Sequence, residues 1–130
     1  MPDSQPNILL IHTEHHRGDC LGCEGHPVLL TPTMDNIARQ GVRFSRFYSA
    51  CPTCISARRS ILRGQSPQTH GMVGYADGLE WGGVPTLPGV LRDNGYQTYH
   101  IGRSLHQHPA RKCHGFEWME QNEDYHEWLH

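Results

Sequence analysis

Apolar residues fall along this chain in short runs with two kinds of spacing. Asn7-Ile-Leu-Leu-Ile-His-Thr13 is a continuous apolar run of strand length, the pattern of a strand buried on both faces. It ends in the polar group Glu14-His15-His16-Arg17. Thr31 to Gly41 predicts a helix, with a capping hydroxyl, Pro32 at the first position and Gly41 after the end. Val42-Arg-Phe-Ser-Arg-Phe-Tyr48 alternates apolar and polar residues, the period of a half-buried strand. A helix beginning at Cys54 follows. Thr86 to Asn94 predicts another, closed by Gly95, and Tyr96 to Ile101 a second buried strand. Glu123 to Leu129 reads as a short helix. Ile37, Ala38, Leu87, Val90 and Leu91, at helical spacing, are the expected core.

Strands alternating with helices predict an α/β architecture with a largely parallel sheet flanked by helices. In open sheets of that kind, ligands bind at the carboxyl ends of the strands. Three groups are therefore expected to converge: the polar residues after Ile11, the start of the Cys54 helix, and the residues after Ile101.

With 130 residues there is material for one domain and one modest core, and 14 Gly with 9 Pro implies much loop. A formal charge of −2 gives no reason to expect nucleic acid or a membrane surface as partner. No apolar stretch approaches the length of a membrane span, and Ile8 to Ile11 is too short for a signal peptide. Five cysteines cannot all pair, so a reducing cytoplasm is the expected location. The eleven histidines are grouped, at His12, His15 and His16 and again at His100, His106, His108 and His114.

The densest chemistry lies in Cys51-Pro-Thr-Cys54-Ile-Ser-Ala-Arg58-Arg-Ser-Ile-Leu62-Arg-Gly64. Residues four apart share a helix face, so Arg58 lies one turn behind the Cys54 thiol on the same side. Free N–H groups and the positive end of the dipole gather at that helix terminus, which suits an anion. Glu14 and His15, directly after the first strand, offer an oxygen and a nitrogen donor for a divalent cation. Arg103 and His106 follow the second strand closely. The pairs Cys20-x-x-Cys23 and Cys51-x-x-Cys54 also open a different function, a small structural zinc module. The strand and helix patterns on both sides of each pair, which a zinc ribbon does not need, argue against it.

The Cys54 segment resembles the signature of the formylglycine-dependent sulfatases, Cys-x-Pro/Ala-Ser/x-Arg-x-x-x-Leu-Thr-Gly. Cys54, Arg58, Leu62 and Gly64 match it, while Ser56, Ala57 and Arg63 depart from it. Pro6-Asn7-Ile8-Leu9-Leu10-Ile11-His12-Thr13 is similar to the segment that precedes the family's acidic metal-binding pair, here Glu14 and His15. Thr31 to Asp35 and Thr69 to Met72 are also family-like. Of these, Asp35 reads as a helix residue and His70 as a turn residue that supports the site. Gly102-Arg103-Ser104-Leu105-His106 resembles the family's Gly-Lys-x-His.

The resemblance runs from about Pro6 to Gly115 and implies an alkaline-phosphatase-like fold, of which residues 1–130 form the amino-terminal part. It implies sulfate ester hydrolysis on a small-molecule or carbohydrate substrate, with phosphate or phosphonate esters as the alternative. It further implies a formylglycine made from Cys54 by a formylglycine-generating enzyme. A divalent metal, calcium in the family, would be held by Glu14, His15 and the modified Cys54. Arg58 and Arg103 would contact the sulfate, and His106, or else His108, would protonate the leaving alcohol. The family's remaining metal ligands lie in its later part, so this chain by itself is expected to be incomplete and inactive.

Overall fold

A computed structural model describes residues 5–129, which fall into two compact units that divide between Phe47 and Tyr48. The first is built around α1 (Pro32–Gln40) and a 3₁₀ turn at Gly22–Glu24. Pro32 opens α1, where its missing N–H and fixed φ cost nothing. The Thr31 hydroxyl is not spent on the helix backbone. It accepts from Gly22 N at 2.8 Å and donates to Asp35 Oδ1 at 2.8 Å, while the same Asp35 oxygen accepts from Cys23 N at 2.9 Å. Asp35 thus ties the turn to the helix. A Cβ at position 22 would stand 2.5 Å from Asp35 Oδ2, so any larger residue would have to displace that carboxylate.

In the second unit, α2 (Cys54–Arg63) follows an extended Thr53 and ends on Gly64 in the left-handed conformation, φ 61°. Ile55, Arg59 and Leu62 lie at i, i+4 and i+7, and all three are buried. Helix α3 (Pro67–His70) is capped by Ser66 and α4 (Leu87–Asp93) by Thr86, whose hydroxyl accepts from Gly89 N at 3.1 Å. Strands β1 (Tyr99–Gly102) and β2 (Trp118–Gln121) pair in parallel, with Tyr99 opposite Trp118 and Gly102 opposite Gln121. Helix α5 (Asn122–Trp128) starts on a reciprocal Gln121–Asp124 cap. Both α3 and α4 pack on α2. Leu62, Trp81 and Leu105 form the core, with Phe116 and Met119 against it.

The parallel α/β class is as expected, and the helices at Thr31, Cys54, Thr86 and Glu123 form within a residue or two of their predicted limits. The strand expectations are only partly met. Neither Asn7–Thr13 nor Val42–Tyr48 is a strand, and Ile8, Leu9, Leu10 and Ile11 are exposed. A helix closes its hydrogen bonds within its own segment, whereas a strand forms only beside a partner. Neither segment has a ladder partner among the described residues. The second strand begins at Tyr99 instead of Tyr96 and is not buried, with Ile101 75% exposed. Ile37, Leu87 and Val90 are likewise exposed, so the core lies on α2 and the loops around it. Among the described residues no helix is long and apolar enough to cross a membrane.

Candidate active site

Cys54 is the first residue of α2 and is half-buried. One turn on, Arg58 is 8% exposed, and its Nη1 donates a short hydrogen bond to the Ser104 carbonyl in the loop that leaves β1. That bond joins two of the three groups expected to converge, the start of the Cys54 helix and the residues after Ile101. The loop is fastened again at Gln107, whose Nε2 donates to the Ile55 carbonyl of the first turn of α2 at 2.9 Å. Between these anchors lies His106, half-buried and in the left-handed region at φ 51°, with its N–H donating to Ser104 Oγ at 3.2 Å. Arg103 is exposed, and its carbonyl accepts from His100 Nε2 at 2.9 Å. His108 turns elsewhere, pairing with Glu80 at 3.2 Å on the surface.

The other side chains of α2 hold this frame. Ser56, completely buried, donates to the Gly74 carbonyl at 2.8 Å. Cys51 is buried beside Thr53, whose hydrogen bonding holds its thiol below the ordinary range. His70 Nδ1 accepts from Met72 N at 3.2 Å, so the neutral ring carries its proton on Nε2 and donates to Ser60 Oγ at 2.9 Å. Burial, with Arg59 and Arg63 nearby, pushes the His70 pKa down. His70 thus serves as a support, the role expected for it.

Arg59 was not singled out by sequence reasoning. It is 1% exposed and satisfied by neutral acceptors: Gln107 Oε1 at 3.0 Å, the Leu79 carbonyl at 2.7 Å and the Glu80 carbonyl at 3.2 Å. Its guanidinium lies 5.0 Å from the Trp81 ring centroid. Burial lowers its pKa, and the charge on Arg63 adds to the effect. One signal was available, since Arg59 shares the buried stripe of Ile55 and Leu62. Two adjacent arginines therefore divide the work, Arg58 sharing the Cys54 face and Arg59 bracing the core.

In the first unit Glu14 and His15 pair with each other at 3.1 Å, His15 being 88% exposed and at φ 52°. They supply one oxygen and one nitrogen donor. Among the described residues no group of three or more His, Cys, Asp or Glu side chains is arranged to hold a metal ion. Cys20, Cys23, Cys51 and Cys54 are each free thiols. Glu14 and His15 remain an incomplete donor set.

The sulfatase family model matches residues 6–129, and the chain belongs to that family. It is 43% identical over 112 residues to an arylsulfatase of Clostridium perfringens, an overlap covering 86% of this chain and 23% of that protein. It is 33% identical over 99 residues to an N-acetylglucosamine-6-O-sulfatase of Bacteroides thetaiotaomicron, covering 76% and 18% of the two chains. The fold superposes with a TM-score of 0.78 and 31% identity on a solved protein in complex with its substrate D-glucosamine-2-N,6-O-disulfate, over 88% of this chain and 23% of that one. That likeness establishes the alkaline-phosphatase-like fold. The chain spans less than a quarter of the length of each of these relatives.

Proposed function

We propose that the protein acts in sulfate ester hydrolysis, on a carbohydrate or other small-molecule ester, with Cys54 as precursor of a formylglycine nucleophile. The observation that carries this reading is the placement of Cys54 at the start of α2 with Arg58 buried one turn on and fixed by the Ser104 carbonyl. When formed, the hydrated aldehyde supplies one hydroxyl to attack sulfur and a second whose deprotonation releases sulfate. A thiol lacks the second. Arg58 and Arg103 stabilise the charge that builds on the sulfuryl oxygens. His106 donates a ring proton to the ester oxygen as its bond to sulfur breaks, so the alcohol departs neutral. The sulfated-sugar names of two relatives support a carbohydrate substrate.

A divalent cation is part of the reading, with Glu14 as one ligand, His15 beside it and the modified Cys54 completing the contact. The two donors of the first unit do not make a full shell, so no step is assigned to the ion. Calcium is the ion that the family implies. The His15 imidazole favours zinc or manganese over an all-oxygen calcium site. Titration calorimetry separates them: Glu14→Gln removes the charge but keeps the shape, and ion affinity should fall. Unchanged affinity would return Glu14 to a solvated turn. The five free thiols fit a reducing compartment such as the cytoplasm.

The decisive test is mass spectrometry of the Cys54 peptide after expression with a formylglycine-generating enzyme, paired with aryl sulfate turnover. Conversion at Cys54 is the expected result, with no turnover by this chain alone and, once the family's remaining metal ligands are supplied, turnover that is lost in Cys54→Ala but kept in Cys51→Ala. An unmodified thiol, both in this chain and after Ser56→Pro brings the segment closer to the signature, would remove the mechanism.

A further inference from the structure

We propose that Gln107 is a positioning residue of this site: its buried amide locks the loop after β1 onto the first turn of α2 and so sets where Arg103 and His106 stand relative to Cys54. The significance of those three residues rests on the sulfate ester reading above; the lock itself does not. Gln107 is 6% exposed, and both ends of its amide are engaged. Oε1 accepts from Arg59 Nε at 3.0 Å, while Nε2 donates to the Ile55 carbonyl at 2.9 Å and to the Leu105 carbonyl at 3.3 Å.

This arrangement admits one orientation of the amide. Turned over, the NH₂ group would face the Arg59 N–H, and the amide oxygen would face two carbonyls. Arg59 cannot yield, because Leu79, Glu80 and Trp81 hold its other side. The loop is therefore gripped at two points, Ser104 by Arg58 and Gln107 by Arg59 and Ile55. Leu105, 8% exposed, seats the stretch between them in the core. His106, between the two anchors, adopts a left-handed backbone that is uncommon for a non-glycine residue.

The test uses two variants of the full chain. Gln107→Met keeps length and removes all polarity. Gln107→Glu keeps the Arg59 bond but sets a carboxylate oxygen against both carbonyls. Amide hydrogen exchange and titration with inorganic sulfate are measured on each. Exchange over residues 103–108 and 54–57 should accelerate about tenfold in both variants, the scale of one lost buried hydrogen bond, with α4 unchanged. Sulfate affinity should fall several-fold in parallel. Unchanged exchange over 103–108 would overturn the proposal, as would acceleration that extends equally into α4 in both variants, the mark of a general fold defect. Faster exchange with undiminished sulfate affinity would overturn the positioning role and leave the anion site standing. Faster exchange in a protein whose wild type binds no sulfate would support the lock and overturn the reading of the site.

Discussion

The two compact units carry sequence patterns of similar strength and differ completely in burial. Among the described residues of the first, no side chain is buried, and Ile8 to Ile11, the most apolar run of the chain, lies open. In the second, Ile55, Leu62, Met72, Trp81 and Leu105 are all buried around α2. Hydrogen bonds of short range shape the first unit, through Thr31, Asp35 and the Gly22–Glu24 turn. Burial shapes the second. Chemistry built on a packed helix such as α2 is fixed by its neighbours.

The largest effect is expected within α2, where two adjacent arginines do different things. Arg58→Lys keeps a cation but loses the planar fork that donates to the Ser104 carbonyl. On the sulfate ester reading, turnover of an aryl sulfate, measured in a formylglycine form supplied with the family's remaining metal ligands, should fall about 10²- to 10³-fold, the cost of one well-placed charge-stabilising donor. Melting should change little. Arg59→Met should do the reverse, destabilising the unit by about 2–3 kcal/mol in urea denaturation through the Gln107 Oε1, Leu79 and Glu80 acceptors it leaves unpaired. If the two variants lost activity and stability in equal proportion, the division between them would fail.

A smaller contrast spans the units. Leu62→Ala opens a cavity beside Trp81 and Leu105 and should cost about 2–4 kcal/mol. Ile37→Ala, in α1 and 60% exposed, should cost less than about 1 kcal/mol. Both residues occupy apolar positions of amphipathic helices, so sequence alone ranks them together. Equal losses, measured by denaturation of each variant, would mean that Ile37 is covered in solution and that the units are less different than described.

What was legible in the sequence follows the range of the forces involved. The helices at Thr31, Cys54 and Thr86 declare themselves through Pro32, Gly64 and the Thr86 cap, because their bonds close within a few residues. The strand at Asn7 declares itself just as clearly and does not form, because its pattern says what it would pair with and not whether the partner is there. The Cys54–Arg58 spacing is local, so it was read correctly. The Arg58–Ser104 and Gln107–Ile55 bonds join residues roughly fifty positions apart and no spacing rule reaches them. Arg59 was hidden by its charge, which reads as solvent-facing although its position belongs to the buried stripe. The Trp81 core was equally hidden, lying in a glycine-rich stretch with no helical or strand period.

The subtlest test of the contrast is acid. In the second unit His70 and His114 have pKa values pushed down, chiefly by burial. Arg59 and Arg63 face His70 and add to its shift; Lys112 and Arg59 do so for His114. Such groups bind more protons unfolded than folded, so stability rises with pH and is lost as pH falls through the unfolded value of about 6.5. In the first unit the shifted groups that titrate in acid are the carboxylates Asp19 and Asp35, and in the second Asp124 is also held low, first by its hydrogen bond from the Gln121 amide. Asp19 is held low by Arg17, and Asp35 by Thr31 and the Cys23 amide. Their contribution is present above the unfolded value of about 3.9 and is lost only as pH drops toward the folded one. The second unit should therefore loosen between about pH 7 and 5.5 while the Asp35 network still holds. All three tryptophans, Trp81, Trp118 and Trp128, lie in the second unit, so their fluorescence reports that unit alone. The Cys23 amide resonance, whose N–H is bonded to Asp35, reports the first. A fluorescence melting point that falls below pH 6.5 and falls less in His70→Gln is the expected result. Simultaneous loss of both signals near pH 4 would show that histidine burial contributes nothing and that carboxylates govern both units alike.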